Sequence, residues 1–312
     1  MAIEHYPVLY REVMAEFSPF PQEASICDAT FGRGGHTALF LEHCGSCVIT
    51  AVDADPHMIA AGTERFADNP RVRFVHGWFD EVLIREGGFD RIILDLGISM
   101  VHLRQGERGF SLLEDGPLDM RLDPSDGGES AADIVRSRSE RELADLIFQY
   151  GEERYSRRIA RAIVAARRQG IESTFDLRDV VWHAVPHASR YQRIHPATRT
   201  FQALRIAVNG ELERLERVLP VAIQALRPGG RLGVISFHSL EDRIVKHSFR
   251  GFVQTPIQTI EGNAITVRVV TKRPIVPTEA EQRENPPSRS AKLRIIERES
   301  EVSHGKDGKR SK

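Results

Sequence analysis

A glycine loop between an apolar strand and an apolar helix constrains this chain most strongly. The strand ends at Asp28, the loop ATFGRGG follows, and the helix opens with HTALFL. Three glycines within four positions place the backbone in tight turns or beside a ligand that touches the main chain. The loop therefore predicts either a mere turn or half of a nucleotide-type site, and the residues that follow must decide between them.

Polar and aromatic residues follow the ends of the neighbouring strands. Asp53 closes a predicted strand about 20 residues past the glycines, the spacing at which a carboxylate binds ribose hydroxyls. Two more predicted strands bring Phe79 and Asp95 to the same edge, and His36 follows the glycine loop. Strands that alternate with helices predict an α/β fold with a doubly wound parallel sheet, whose ligands bind outside the carboxyl ends of the strands.

The pattern changes after Ile98, where no strand period returns for about a hundred residues. Ser139 and Glu142 predict a capping box at the start of one of several helices. A long helix is expected from Thr200 to Leu226, followed by a Pro-Gly-Gly turn, a strand and a closing pair of strands. We therefore expect a discontinuous α/β domain, an inserted helical domain and a disordered tail. The predicted ranges are 1–107 with 200–298 for the discontinuous domain, 108–199 for the insertion and 299–312 for the tail.

Composition limits the class of protein. The 312 residues carry a net charge of only −1, so whole-chain charge predicts no nucleic-acid partner. No window approaches the roughly 20 apolar residues of a membrane span, and the N-terminus lacks a signal-peptide pattern, so we expect a cytoplasmic protein without a membrane partner. Cys44 and Cys47 have the spacing of a metal pair, but no second pair completes a zinc site and no metal is predicted.

Arginine is concentrated in the predicted insertion. Residues 130–205 hold 14 arginines, no lysine and 9 acidic residues. Such a face suits the phosphates of a nucleic acid. The other interpretation is a solvated helix whose arginines pair with Glu152 and Glu153, and charge alone does not separate the two.

Long motifs resemble one family, the bacterial 16S ribosomal RNA cytosine-N4-methyltransferases, also called the MraW family. Together they span the chain from His5 to about Arg298. The matching segments are DATFGRGGH at 28–36, LDLGIS at 94–99, ERGFS at 107–111, DGPLDMR at 115–121, YGEER at 150–154, HPATRTFQALRI at 195–206, SFHSLEDRIVK at 236–246 and NPPSRSAKLR at 285–294.

The resemblance implies a class I (Rossmann-like) S-adenosylmethionine-dependent methyltransferase fold with an inserted all-helical domain. It implies S-adenosylmethionine as cofactor and the N4 of a cytidine in the decoding region of 16S ribosomal RNA, within the small ribosomal subunit, as the target. A homodimer is one open assembly state. The cofactor contacts carried over from the family are Gly34, Gly35, His36, Asp53, Phe79 and Asp95. His102 replaces a family Gln that contacts the cofactor, and imidazole offers a different set of hydrogen bonds from an amide.

The resemblance also directs attention to Asp95 as the catalytic residue, since an acceptor at the end of the fourth strand eases attack by the cytosine amino group. Asp95 serving only the cofactor is the other interpretation. Residues expected to reach a cytidine that leaves its stack are Arg121, Arg199, Phe237 and His238. For Arg199 and His195 a hinge joining the insertion to the core is the alternative.

Two other functions remain open from sequence. One is a methyltransferase of a protein or small molecule, which would share the cofactor half of the site. The other is a noncatalytic ribosome-binding factor, which the intact glycine loop and Asp53 disfavour.

Overall fold

The computed structural model describes residues 7–258 and 263–300. Nine strands lie within these residues. In chain order they are β1 Ser25–Asp28, β2 Val48–Asp53, β3 Val72–His76, β4 Phe89–Asp95, β5 Leu226–Ser236, β6 Ile257–Gln258, β7 Ala264–Ile265, β8 Val267–Val269 and β9 Lys292–Arg298.

Seven of these strands form one sheet in the order β3-β2-β1-β4-β5-β9-β8. The first five are parallel, whereas β9 runs antiparallel to both β5 and β8. Strand order reverses between β1 and β4, the kind of switch point at which open α/β sheets bind ligands. The predicted doubly wound sheet and its antiparallel closing pair are confirmed.

The α-helices of the described residues fall between and after these strands. They are α1 Tyr10–Phe17, α2 Gly35–His43, α3 Pro56–Arg65, α4 Phe79–Arg85, α5 Met100–Arg104, α6 Ala131–Ser137, α7 Glu140–Gly151, α8 Ser156–Ala166, α9 Thr174–Ala184, α10 His187–Arg190, α11 Thr198–Asn209, α12 Glu211–Ala225, α13 Ser239–Gln254 and α14 Glu279–Glu284. None of the helices in the described ranges combines the length and apolar character needed to cross a membrane.

Local sequence explains several helix ends. Ser139 accepts from the Glu142 N–H while the Glu142 carboxylate accepts from the Ser139 N–H, so the predicted capping box is confirmed. The predicted helix from Thr200 to Leu226 is wrong as one piece. Gly210, with φ of +58°, takes the left-handed conformation that ends α11, and α12 starts immediately after it.

The expected start of the fifth strand was also too late. β5 already pairs at Leu226 with Phe89, and the ladder shifts register between Phe89 and Arg91 before it continues from Arg231. Such an irregularity accommodates the Pro-Gly-Gly segment inside the strand.

The chain divides into two compact units. Unit 1 comprises Met1–Asp53, Gly62–Leu96 and Glu216–Lys312, and unit 2 comprises Ala54–Ala61 and Gly97–Leu215. These boundaries differ from the predicted ones because Phe201 and Leu204 of α11 belong to the apolar core of unit 2. The predicted tail at 299–312 lies outside the described residues from 301 onward.

Each unit has an apolar core of its own. In unit 1, Ile26, Ile49, Ile93 and Ile235 of the central strands are at most 2% exposed. In unit 2, α7, α8, α9 and α11 enclose a helical core. These cores fix the ends of the strands in unit 1 and the exposed faces of the helices in unit 2.

Candidate functional site

The glycine loop of unit 1 is shaped by its own aromatic side chain. The Phe31 N–H donates to the Val52 carbonyl at 2.8 Å, and the Gly34 N–H donates to the Phe31 carbonyl at 2.7 Å. Gly34 has a φ of +71°, and a Cβ there would lie 2.5 Å from the Phe31 ring. A Cβ on Gly35 would lie 3.0 Å from Pro7. Packing within the protein therefore requires glycine at Gly34 and disfavours a larger residue at Gly35.

Asp53 ties the loop to the second strand. Its Oδ2 accepts a hydrogen bond from the Gly32 N–H at 2.7 Å. The predicted pairing of the glycine loop with a strand-terminal acid is thus a direct contact. A carboxylate can accept several hydrogen bonds, so acceptance from the Gly32 N–H is compatible with binding of hydroxyl donors.

Carboxylates also end the two strands on either side of the switch point. Asp28 Oδ2 accepts from the Thr37 hydroxyl at 2.7 Å, and the Asp95 N–H donates to the Thr30 hydroxyl at 2.6 Å. His36 Nε2 lies 3.6 Å from Asp95 Oδ2. Among the described residues, Asp28 Oδ1, Asp95 Oδ1 and both His36 ring nitrogens are buried without a hydrogen-bond partner.

These four buried atoms could each form a hydrogen bond with a ligand. Buried polar atoms normally have partners, so four of them at one strand edge indicate a ligand rich in donors and acceptors. A nucleoside with hydroxyls and a charged amino-acid group has that chemistry. The residues present therefore fit a cofactor of the S-adenosylmethionine type.

The environment shifts the pKa of two of these groups. Burial raises the pKa of Asp28 above its ordinary value, and His36 and Thr37 offset this only in part. Burial alone lowers the pKa of His36, but the carboxylates of Asp95 and Asp28 outweigh it and raise the pKa.

Phe79 begins α4 just after β3 and is half-buried. The neighbouring Asp80 is buried and accepts hydrogen bonds from Arg217 at 2.8 and 3.0 Å, which anchors this helix start. The structure therefore places the predicted residues His36, Asp53, Phe79 and Asp95 at or just after strand ends of one sheet.

Phe237 and His238 follow β5 and directly precede α13. Glu241 Oε2 accepts from the N–H groups of Phe237 and His238 at 2.8 and 3.2 Å, and His238 Nδ1 accepts from the Glu241 N–H at 3.5 Å. The two residues thus form the N-terminal cap of a helix, a role that the sequence prediction missed because His is an uncommon cap.

Unit 2 holds a second buried polar cluster, around Asp55. His102 Nε2 lies 2.7 Å from Asp55 Oδ2, and Arg108 Nη1 donates to the same oxygen at 2.8 Å. Burial raises the pKa of Asp55, but hydrogen bonds from His102 and His57 and the charge of Arg108 outweigh it and lower the pKa. Within the described part of the chain, His102 Nδ1 is buried and without a partner.

The other predicted substrate residues are held by local contacts in unit 2. Arg121 donates to both oxygens of Asp119 at 2.7 and 2.8 Å. Arg199 donates to the Glu152 carbonyl at 3.2 Å, and its side chain is 54% exposed. Arg199 is therefore the more available of the two for an added ligand.

Sequence reasoning missed Asp28, Thr37 and Asp55 as site residues. Asp28 carries the signal that identified Asp53 and Asp95, an acid at the end of a buried strand. Asp55 lies directly before α3 and Thr37 is the third residue of α2. A polar residue is ordinary at both kinds of position, so neither carries a comparable signal.

The sheet order with an antiparallel β9 between β5 and β8, and a glycine loop beside strand-terminal acids, define a class I methyltransferase. The family model described as the MraW methylase family matches residues 2–299, and the chain belongs to this family. The predictions of family, fold class and methyltransferase activity are thereby confirmed.

Relatives of similar length support this assignment. The chain is 47% identical to "Ribosomal RNA small subunit methyltransferase H" of Pelobacter propionicus, covering 95% of this chain and 98% of that protein. The protein of the same name from Synechococcus elongatus is 47% identical, with 95% of each chain covered. A solved rRNA methylase from Streptococcus thermophilus aligns with 96% of this chain and 100% of its own at a TM-score of 0.40 and 10% identity, too distant to argue from.

Proposed function

We propose that this chain transfers the methyl group of S-adenosylmethionine to the exocyclic N4 of a cytidine in the decoding region of 16S ribosomal RNA. The substrate is the small ribosomal subunit or its assembly precursor, in the cytoplasm. The observation that carries the proposal is the edge of unit 1 where Asp28, His36 and Asp95 present buried polar atoms without partners among the described residues. The names of the relatives support the ribosomal RNA substrate.

In this proposal unit 1 is the methyltransferase domain and unit 2 recognises the substrate. Asp53 holds the ribose hydroxyls of the cofactor, and Gly34, Gly35 and Phe79 line its site. His102 of unit 2 offers its orphaned Nδ1 as a further hydrogen-bonding atom. A homodimer is compatible with the proposal, and no step requires one.

When bound, S-adenosylmethionine supplies a methyl group on a sulfonium, which is open to in-line displacement. The protein then has to align the cytosine amino group and relieve the delocalisation of its lone pair. Asp95 Oδ1 is buried and lacks a hydrogen-bond partner among the described residues, so it is available to accept an amino hydrogen as the nitrogen becomes tetrahedral. The backbone N–H of Asp95 bonded to Thr30 keeps this residue in place.

The target base has to leave its stack to reach such a site. Extrusion costs a few kcal/mol in a duplex and less in an irregular helix, so a distorted target is expected. Arg199, Arg121, Phe237 and His238 are the proposed contacts to the extruded nucleotide.

The test is nucleoside mass spectrometry of small-subunit RNA after incubation with the purified chain and S-adenosylmethionine. The expected product is N4-methylated cytidine, and Asp95→Asn, which keeps the side-chain shape and removes its charge, should reduce its yield by at least about tenfold. Methyl on carbon 5, on ribose alone, or on no RNA would contradict the assignment. Methyl incorporated into protein or small molecules instead would favour the other methyltransferase function.

A further inference from the structure

A group of aromatic rings lies together on the surface of unit 2, and it includes His195, the hinge candidate of the sequence analysis. The Trp182 ring stacks on His195 with centroids 5.3 Å apart and meets Tyr191 edge-on at 5.8 Å. His187 lies 5.0 Å from Tyr191. We call these four residues the aromatic patch.

The patch is open to solvent at its outer ring. Tyr191 is 70% exposed and the adjacent Ile194 is 56% exposed, while Trp182 and His195 are half-buried. Isolated exposed apolar residues are ordinary, but contacting rings with one face open indicate an interaction surface. The half-buried Trp182 ring contacts Tyr191, so less side-chain freedom is lost when a ligand binds Tyr191.

The segment that carries the patch is rich in positive charge, and Asp179 just before it supplies a carboxylate whose charge acts on His195. From Val180 to Gly210 the chain contains no Asp or Glu. Arg190 donates to the His183 and Val185 carbonyls, and Arg193, two residues after Tyr191, is exposed. A partner of the patch therefore meets positive charge and aromatic faces with no carboxylate from this segment.

His195 adds a flat and largely neutral ring. Its Nδ1 accepts from the Ala197 N–H at 3.2 Å. Burial and then the charge of Arg178 lower the pKa of His195, so the ring is mostly uncharged at neutral pH. Its stacked contact with Trp182 thus does not depend on protonation.

We propose that the aromatic patch binds single-stranded RNA by stacking an unpaired base on Tyr191, with Arg190 and Arg193 facing the phosphates. Aromatic platforms flanked by arginine are how proteins hold unpaired nucleotides. An acidic protein segment would pair with the arginines, but it has no flat base to stack on the exposed Tyr191 ring. This inference rests on the proposed function, because it assigns a further contact to the same RNA substrate.

The test measures binding of the full chain to a short oligouridylate by fluorescence anisotropy. Tyr191→Ala should weaken binding by about 5- to 100-fold, the range for losing one stacked base, and Tyr191→Phe should retain it. Phe148→Ala is the matched control, because Phe148 is another ring of unit 2 and is 61% exposed. An abasic oligonucleotide of equal length should bind both Tyr191→Ala and the unchanged chain equally.

Three results would overturn the inference. These are Tyr191→Ala binding oligouridylate as tightly as the unchanged chain, Phe148→Ala losing as much affinity as Tyr191→Ala, and the abasic oligonucleotide showing the same loss as oligouridylate. A loss of affinity seen only on ribosomal subunits and not on oligouridylate would also contradict stacking of an unpaired base on Tyr191. Methylation of subunits by the unchanged chain, measured separately, distinguishes failure of the patch from failure of the proposed function.

Discussion

The Asp53 carboxylate accepts a hydrogen bond from the Gly32 N–H. The same carboxylate lies at the strand end where we expect the ribose hydroxyls of the cofactor. Asp53→Ala should weaken binding of S-adenosylmethionine by about 1.5–3 kcal/mol, since hydrogen bonds to a charged group are lost. Asp53→Asn keeps an oxygen that can accept from the Gly32 N–H, so it should lose less binding free energy than Asp53→Ala. Isothermal titration calorimetry checks both, and unchanged affinity in a folded Ala variant would exclude the ribose role.

His36 links the site to the pH dependence of stability. Its pKa is raised in the folded chain, so its contribution to stability is complete below its unfolded pKa of about 6.5 and is lost as pH rises through the folded pKa. The stability advantage of the unchanged chain over His36→Gln should therefore shrink between pH 6 and pH 9. Urea unfolding measures it.

The control for this prediction lies on the same helix. His43 is exposed and bonds the Leu39 carbonyl, so His43→Gln should track the unchanged chain across that pH range. If the difference between His36→Gln and the unchanged chain is the same at both pH values, the Asp95 and Asp28 carboxylates do not hold a proton on His36.

At the scale of elements, the turn from β1 into α2 depends on one backbone conformation. Gly34 is left-handed, and its missing Cβ makes room for the Phe31 ring. Gly34→Ala should lower the free energy of unfolding by roughly 2 kcal/mol or more, from the strained backbone and the overlap together. Thermal and urea unfolding measure the change.

Gly45 offers the matched glycine, because a Cβ there meets nothing within 4 Å. Gly45→Ala should stay within about 0.5 kcal/mol of the unchanged chain. Equal stability of the two alanine variants would show that the loop relaxes around Phe31.

The elements that sequence predicted well were those with a local cause. β1, β2 and β4 are short apolar runs, and the capping box of α7 consists of Ser139 and Glu142, three residues apart. The break at Gly210 was missed because the apolar stripe continues on both sides of it. The His238 cap was missed because it depends on the position of the Glu241 side chain. The partners of Asp55 were missed because His102 and Arg108 lie far along the chain.

At the scale of the whole molecule, acids and arginines are distributed unequally. Unit 1 gathers carboxylates at strand ends, whereas α8 of unit 2 exposes Arg157, Arg158 and Arg161. Arg161 lies 3.3 Å from Glu140, and Glu153 lies 3.9 Å from Arg199. An exposed ion pair of this kind is worth at most about 1 kcal/mol and yields readily to a phosphate.

We therefore expect the three exposed arginines of α8 to contact RNA phosphates without reading bases. Replacing Arg157, Arg158 and Arg161 with Gln should lower affinity for small-subunit RNA. The slope of log affinity against log salt should fall by up to about 0.9 per lost contact if the RNA is duplex, and about 0.7 if single-stranded. A triple Gln variant of Arg268, Arg283 and Arg289 in unit 1 removes the same charge and should keep the slope. Filter binding across a salt series measures both variants, and equal slopes would make the α8 arginines a solvated face.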